Sequence, residues 1–242
     1  MADRLPQNRL PAPVRFAAVV AAAGTGRRMG GRGKAMLKLA GRPILYRAIE
    51  ALRAAPGCAE IVPVLHQDEY DDAGLAARLR RRYDIRKTAL GGPTRQASVL
   101  AGLELVGEGL SVVLIHDAAR ALVDPAVVQQ VAEAAAQHGA AIAAVPVAET
   151  VKEVDSSGSV RATPARDTLW LARTPQGFGK DLILQAHRAA RDEGFCATDD
   201  AQLVERLGMP VRIVQDSYDN LKITTPEDLA IAEAILRWRK RR

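Results

Sequence analysis

FAAVVAAAGTGRRMGGRGKA, residues Phe16–Ala35, runs from an unbroken apolar stretch straight into a glycine cluster. The opening FAAVVAA, Phe16–Ala22, has the length and uniform apolarity of a strand buried on both faces. Glycines at 24, 26, 30, 31 and 33 end it. A glycine-rich turn at the end of a strand lets successive backbone N–H groups close around phosphate oxygens, and Arg27, Arg28 and Lys34 bring positive charge to the same place. Two familiar phosphate loops do not fit. A Walker A loop places Ser or Thr after its lysine, where this chain has Ala35. A dinucleotide fingerprint needs a small residue where this chain has Met29. A phosphate-handling loop of another kind is the reading preferred over an ordinary strand-to-helix turn with solvated arginines.

Working outward, short β-like runs alternate with longer helical ones. From Pro43 to Ala55, Ile44, Leu45, Ala48, Ile49 and Leu52 recur at helical spacing. Strand-like runs follow at Ile61–Leu65, Lys87–Leu90, Val112–Ile115, Ala141–Val147 and Val211–Val214. Helices are predicted over 68–83, from about Val99 to Leu105, over 125–137, 181–193 and 199–207, and from Pro226 onward. Alternating apolar strands and helices predict an α/β fold with a mostly parallel sheet and helices on both faces, and ligands in such sheets lie beyond the carboxyl ends of the strands. Residues 149–166, ETVKEVDSSGSVRATPAR, break the regularity. They predict a small polar hairpin, Val151–Val154 and Ser159–Thr163 around an SSG turn. A hairpin of this size needs something to pack on, and a second subunit is the natural candidate.

The chain has 242 residues and carries a net charge of +6. Such a surplus suggests a polyanionic partner, but its placement argues otherwise. Residues 237–242 and 1–15 hold the excess, which leaves the body near neutrality, slightly acidic. A single domain over 16–236 is therefore predicted, with a disordered leader at 1–15, a β-arm at about 149–167 and a basic tail at 237–242. Neither a signal peptide nor a membrane span is visible. Two cysteines lack any metal or disulfide spacing, so a reducing, cytoplasmic setting is expected.

Three further segments stand just after predicted strands. IHDAAR, Ile115–Arg120, puts Asp117 at a strand end, where a carboxylate suits Mg²⁺ or a substrate hydroxyl as well as it suits capping the next turn. His116 reads as structural, because no nucleophile accompanies it. GGPTRQAS, Gly91–Ser98, offers free backbone to a flat base and a hydroxyl to its edge, or simply a turn and helix cap. In NLKITTPEDL, Thr225, Pro226 and Asp228 read as a helix start with a near capping box. Lys222 is predicted on a short strand, pointing into a site. Thr198-Asp199-Asp200 reads first as a helix start and second as a functional acidic pair.

Taken together and in this order, AAAGTGRRMG, LAGRPIL, GGPTRQASVLAGL, IHDAARALV, VPVAETVKEV, LWLARTPQGF, TDDAQLVE and NLKITTPEDL resemble the 2-C-methyl-D-erythritol 4-phosphate cytidylyltransferases of non-mevalonate isoprenoid synthesis. The resemblance implies a Rossmann-like nucleotidyltransferase that forms a homodimer through its β-arm. It implies transfer of a cytidylyl group from CTP to a sugar-alcohol phosphate, with Mg²⁺ or another divalent cation. Carried over by motif, Ala22, Ala23, Gly24 and Gly26 would wrap the triphosphate, and Arg28 and Lys34 would stabilise charge at the α-phosphate. Gly92 and Ser98 would hold cytosine, while Asp117 and Ala118 would meet the ribose or metal region. Lys222 would position the acceptor phosphate, and Thr150 and Arg166 would reach it from the partner's arm, with Arg161 and Arg173 as alternatives to Arg166. The chain departs from the family pattern at Gly33-Lys34-Ala35, where Pro-Lys-Gln is usual, and at Ala121, where a proline is usual. A ribitol 5-phosphate cytidylyltransferase would share the nucleotide-side motifs. A non-catalytic nucleotide- or RNA-binding protein is disfavoured, because Arg28, Lys34 and Lys222 are all present, and neither a membrane nor a specific nucleic acid is expected as partner.

Overall fold

The structure, a computed structural model, describes residues 12–24 and 33–241. At its centre lies β1, Phe16–Ala21, every residue of which but the last is buried. Its side chains alternate between two cores, as strand geometry requires. Phe16, Ala18 and Val20 face one apolar layer, and Ala17 and Val19 face the other. The first layer is completed by α1, Ile44–Ala54, α3, Ala73–Tyr83, and α5, Pro125–His138. The second is completed by α4, Arg95–Leu103, α6, Lys180–Asp192, and α7, Asp200–Arg206.

β1 pairs in parallel with β4, Cys58–Leu65, on one side and with β6, Val112–Asp117, on the other. Beyond β4 lies β5, Ala89–Leu90. Beyond β6 lie β10, Trp170–Gly179, then β7, Ala140–Pro146, and β11, Arg212–Gln215. The chain leaves β1 toward β4 and β5 and returns on the opposite side at β6. The topological switch point therefore falls between β1 and β6, where Ala21 is the register partner of Asp117.

Several predicted elements change. The helix expected over 68–83 is two: α2, Gln67–Tyr70, and α3, separated because the Asp72 carboxylate caps α3 by accepting from Leu75 N–H at 3.0 Å. The sequence reading has no strand through TPQGFG, yet β10 runs antiparallel between β6 and β7. Its register on β7 shifts between Ala172 and Gln176, so Pro175 sits where the ladder is interrupted. Lys222 lies in no strand, contrary to expectation, on a segment anchored by Ile223 N–H donating to the Ala119 carbonyl at 2.9 Å. A short hairpin, β2, Lys38–Leu39, and β3, Arg42–Pro43, precedes α1. The last helix, α8, Pro226–Arg239, opens with the capping box between Thr225 and Asp228 and buries Ala232 in a third small cluster with Leu39, Ile44 and Ile223. It continues through the first three residues of the expected basic tail. Arg239 is tied to the body by a 2.9 Å bond to the Leu122 carbonyl, because the helical ladder carries its side chain back over the domain.

The expected hairpin is present as β8, Glu153–Val154, and β9, Val160–Ala162, an antiparallel pair separate from the main sheet. All five residues are exposed, Val154 and Val160 among them. Among the described residues, no helix is long and apolar enough to cross a membrane.

Candidate active site

A pocket of about 680 Å³ opens at the switch point, over the carboxyl ends of β1, β4, β5 and β6. Ala22, Ala23 and Gly24 form one wall, the loop from Gly91 to Arg95 a second, and Asp117, Ala118 and Lys222 the floor. The structure thus brings together most residues singled out from sequence. Gly26 and Arg28 lie outside the described residues, as does the side chain of Lys34. The Lys34 backbone begins a single 3-10 turn, Lys34–Met36, whose Ala35 lines the pocket.

The walls are set by backbone packing. Ala22 N–H donates to Val64 O at 2.9 Å and Gly91 N–H to Leu65 O at 2.8 Å, which fixes both walls to β4. Gly91 approaches so closely that a Cβ there would stand 2.2 Å from the Ala23 Cβ. Ser98 is buried, and its hydroxyl accepts from Gly92 N–H at 3.0 Å while lying 2.8 Å from the Thr94 carbonyl. It shapes the glycine loop from within, and Thr94 caps α4 by accepting from Ala97 N–H at 3.0 Å.

Asp117 is the electrostatic centre. Its Oδ2 lies 2.6 Å from Lys222 Nζ, and its Oδ1 accepts from both Nε and Nη2 of Arg95 at 3.2 Å. Burial alone would raise the Asp117 carboxyl; Arg95 first, then Lys222, reverse that and hold it well below the usual carboxylate range. Arg95 extends further, with Nη1 2.7 Å from Oδ2 of Asp200, a carboxylate buried to 1 % exposure. Burial would lower the Arg95 guanidinium, but Asp200 and Asp117 outweigh it and raise its pKa. Asp200 also stands 3.2 Å from Nε2 of the buried His187.

His116, at the floor's edge, is consumed by structure as its sequence context suggests. Asp117 N–H donates to Thr174 Oγ1 at 3.0 Å, which lies 3.0 Å from His116 Nδ1, and His116 Nε2 lies 3.2 Å from the Arg120 carbonyl. The chain closes consistently with the proton on Nε2 and the Thr174 hydroxyl donating to Nδ1. Burial lowers the His116 pKa to about 4.

Beside Lys222, two arginines converge on one carbonyl. Nη1 of Arg120 and Nη1 of Arg173 donate to Asn220 O at 2.8 and 3.0 Å. Arg173 is thus tied to the Ser217 and Asn220 carbonyls of its own chain and, like Arg120, does not line the pocket, whereas Arg161 pairs with Glu153 inside the hairpin at 3.3 Å. Thr150 and Arg166 are exposed and line no part of the pocket; Arg166 donates to the Ala148 carbonyl at 2.8 Å.

Sequence reading assigns no role to Arg95 or Arg120, and ranks helix initiation above function for Asp200. A cation in the first turn of a helix opposes the helix dipole, and that misfit at Arg95 was the available signal for a carboxylate partner.

No cluster of three or more metal-ligating side chains occurs among the described residues. Asp117 is the one pocket-lining carboxylate among them, a donor set that suits an ion carried largely by phosphate oxygens.

The family model for 2-C-methyl-D-erythritol 4-phosphate cytidylyltransferase matches residues 16–238. The enzyme of that name from Pelotomaculum thermopropionicum is 46% identical over 232 residues, 94% of this chain and 97% of that protein. Among solved structures, the 4-diphosphocytidyl-2C-methyl-D-erythritol synthase of Anaerococcus prevotii superposes with a TM-score of 0.82 at 30% identity, covering 93% of this chain and 96% of the other. The 2-C-methyl-D-erythritol 4-phosphate cytidylyltransferase of Thermus thermophilus gives 0.77 at 36% identity, covering 93% and 100%.

Proposed function

The chain belongs to the 2-C-methyl-D-erythritol 4-phosphate cytidylyltransferase family, and from that membership we propose how its residues divide the reaction. It is a nucleotidyltransferase that moves the cytidylyl group of CTP to methylerythritol 4-phosphate. An oxygen of the acceptor phosphate forms a bond to the α-phosphorus, the bond to the bridging oxygen breaks, and pyrophosphate leaves with the electron pair. The product is 4-diphosphocytidyl-2-C-methyl-D-erythritol. An anionic phosphate is already a nucleophile, so positioning and charge stabilisation are what the protein must supply.

In this reading Ala22, Ala23, Gly24 and Gly26 wrap the triphosphate by backbone N–H groups, and Arg28 and Lys34 offset the charge that grows around the α-phosphorus. Gly92 holds the cytosine through its backbone, with Ser98 shaping the loop. Asp117 and Ala118 meet the ribose. A divalent cation such as Mg²⁺, held by the nucleotide's phosphates with Asp117 as the nearest carboxylate, would supply further charge neutralisation. Lys222 turns from Asp117 to the acceptor phosphate, and Arg120 and Arg173 steady the segment that carries it by donating to the Asn220 carbonyl. Thr150 and Arg166 reach the acceptor from a partner's arm in a cytoplasmic homodimer. The hairpin supports this, because Val154 and Val160 stand exposed at 55% and 61% on strands that bury nothing in their own chain.

The observation that carries the reading is the Lys222–Asp117 pair at the floor of a pocket walled by two glycine-bearing turns. Pyrophosphate release from CTP and Mg²⁺, compared for methylerythritol 4-phosphate and ribitol 5-phosphate, tests it. Turnover with the first acceptor is expected; turnover with ribitol 5-phosphate alone would overturn it.

A further inference from the structure

We infer that Arg95, clamped by the buried Asp200, is a positioning residue that seats Lys222 through Asp117. This rests on the assignment of Lys222 to the acceptor phosphate. Arg95 stands at the first residue of α4, where a cation is held against the helix dipole and needs carboxylates to keep it there. It has two. Nε and Nη2 occupy Oδ1 of Asp117, which leaves Oδ2 alone to face Lys222. A carboxylate without that fork could rotate and offer Lys222 either oxygen.

The other end of Arg95 is fixed by a segment far away in sequence. Asp200 begins α7, and Gln176 of the central strand β10 accepts from the N–H groups of Asp200 and Ala201 at 3.1 and 3.2 Å. Gln96, the neighbour of Arg95, donates to the Phe195 carbonyl at 3.0 Å and accepts from Ala197 N–H at 3.0 Å. The start of α4 and the segment 195–201 are therefore stitched together, and the Arg95–Asp200 pair at 2.7 Å spans that seam. A carboxylate as buried as Asp200 is retained at a cost unless a cation faces it. When Lys222 leaves for the acceptor phosphate, Arg95 keeps Asp117 ionised and in place for its return. None of the bonds that shape the glycine loop, from Thr94, Ser98 and Gly91, uses the Arg95 guanidinium. Its loss should consequently leave the glycine loop standing and reach the nucleotide only through Asp117 at the ribose.

The test compares wild type, Arg95→Met, Asp200→Asn and the double variant, measuring acceptor kcat/KM at saturating CTP and the Kd of CTP by calorimetry. Each single variant is expected to lower acceptor kcat/KM by about tenfold or more, with a smaller rise in the CTP Kd transmitted through Asp117. The double variant is expected to be no more than about twofold worse than the poorer single, because the two side chains act as one unit. A loss of CTP affinity as large as the loss in acceptor kcat/KM, unchanged acceptor kinetics or multiplying effects would each overturn the inference. If Arg95→Met does not fold, Arg95→Lys, which keeps the charge and loses the fork, takes its place with the same pattern at smaller size. Lys222→Ala run alongside separates the two claims. If it leaves acceptor kinetics intact, the Lys222 assignment fails; if it impairs them while Arg95 and Asp200 variants do not, only the positioning role fails.

Discussion

Acidification from pH 7 to pH 5 is expected to remove about 2 kcal/mol of folding stability through His116 alone. The imidazole is fully buried, and burial is the main reason its pKa falls to about 4; the Asp117 charge opposes this and the Arg120 charge adds to it. Protonation would also place a hydrogen on Nδ1, where the Thr174 hydroxyl already points one. In the unfolded chain the same imidazole titrates near its ordinary value of about 6.5. Above that pH both states are neutral and the residue contributes no pH dependence. As pH falls below it, the unfolded chain takes up the proton first, so stability is lost from about pH 6.5 down to about pH 4. The full window spans about 2.5 units, or about 3 kcal/mol, of which about 2 is lost by pH 5. Urea unfolding of wild type and His116→Gln at pH 7, 6 and 5 isolates the effect, since every other titration cancels in the difference. The wild-type advantage should shrink by about 2 kcal/mol across that range. A difference that stays flat would refute the buried histidine that is kept neutral by the fold.

Lys34→Ala should collapse kcat while leaving the KM of CTP within a few-fold, because the lysine is assigned to charge that develops in the transition state; steady-state kinetics in which only KM rises would remove that role. Gly91→Ala should raise the KM of CTP and cost about 1–3 kcal/mol in urea unfolding, since the added Cβ would meet the Ala23 Cβ at 2.2 Å and neither wall can retreat from β4. Deletion of residues 240–242 should leave both turnover and stability unchanged, whereas Arg239→Ala should lose about 1 kcal/mol of stability with no change in kinetics, because its guanidinium holds the Leu122 carbonyl.

Those last two variants mark a revision of how the charge is read. The surplus of +6 looked wholly terminal, and two of its contributors, Arg237 and Arg239, proved to be in the final turn of a packed helix. Local signals served well elsewhere. The apolar run at Phe16, the Thr225–Pro226–Asp228 start of α8, the hairpin around Ser156–Gly158 and the glycine-bearing turns that follow β1 and β5 were legible, because each is decided by neighbours in sequence. β10 was not. Pro175, Gly177 and Gly179 argue against a central strand, but Pro175 sits at the interruption of the β7 ladder, and Gly177 leaves room that Leu114 and Val131 fill. Those compensations come from other strands and from α5. Arg95 and Asp200 escaped for the same reason. Their pairing depends on Gln176 and Gln96 bringing distant segments together, and no spacing records it. Asp199 was legible as a helix cap, which it is, accepting from Gln202 N–H at 3.0 Å; Asp200 beside it was left second to that.

The proposal that each site is completed by the partner's arm has a direct measurement. Lys222→Ala and Arg166→Ala subunits, each inactive as a homodimer, are mixed, allowed to exchange and assayed for pyrophosphate release with CTP and methylerythritol 4-phosphate. With Arg166 supplied across the dimer, every heterodimer has one site with both lesions and one with neither, and random exchange restores about a quarter of wild-type activity. If Lys222 and Arg166 serve the same subunit's site, no heterodimer has an intact site, and activity does not return.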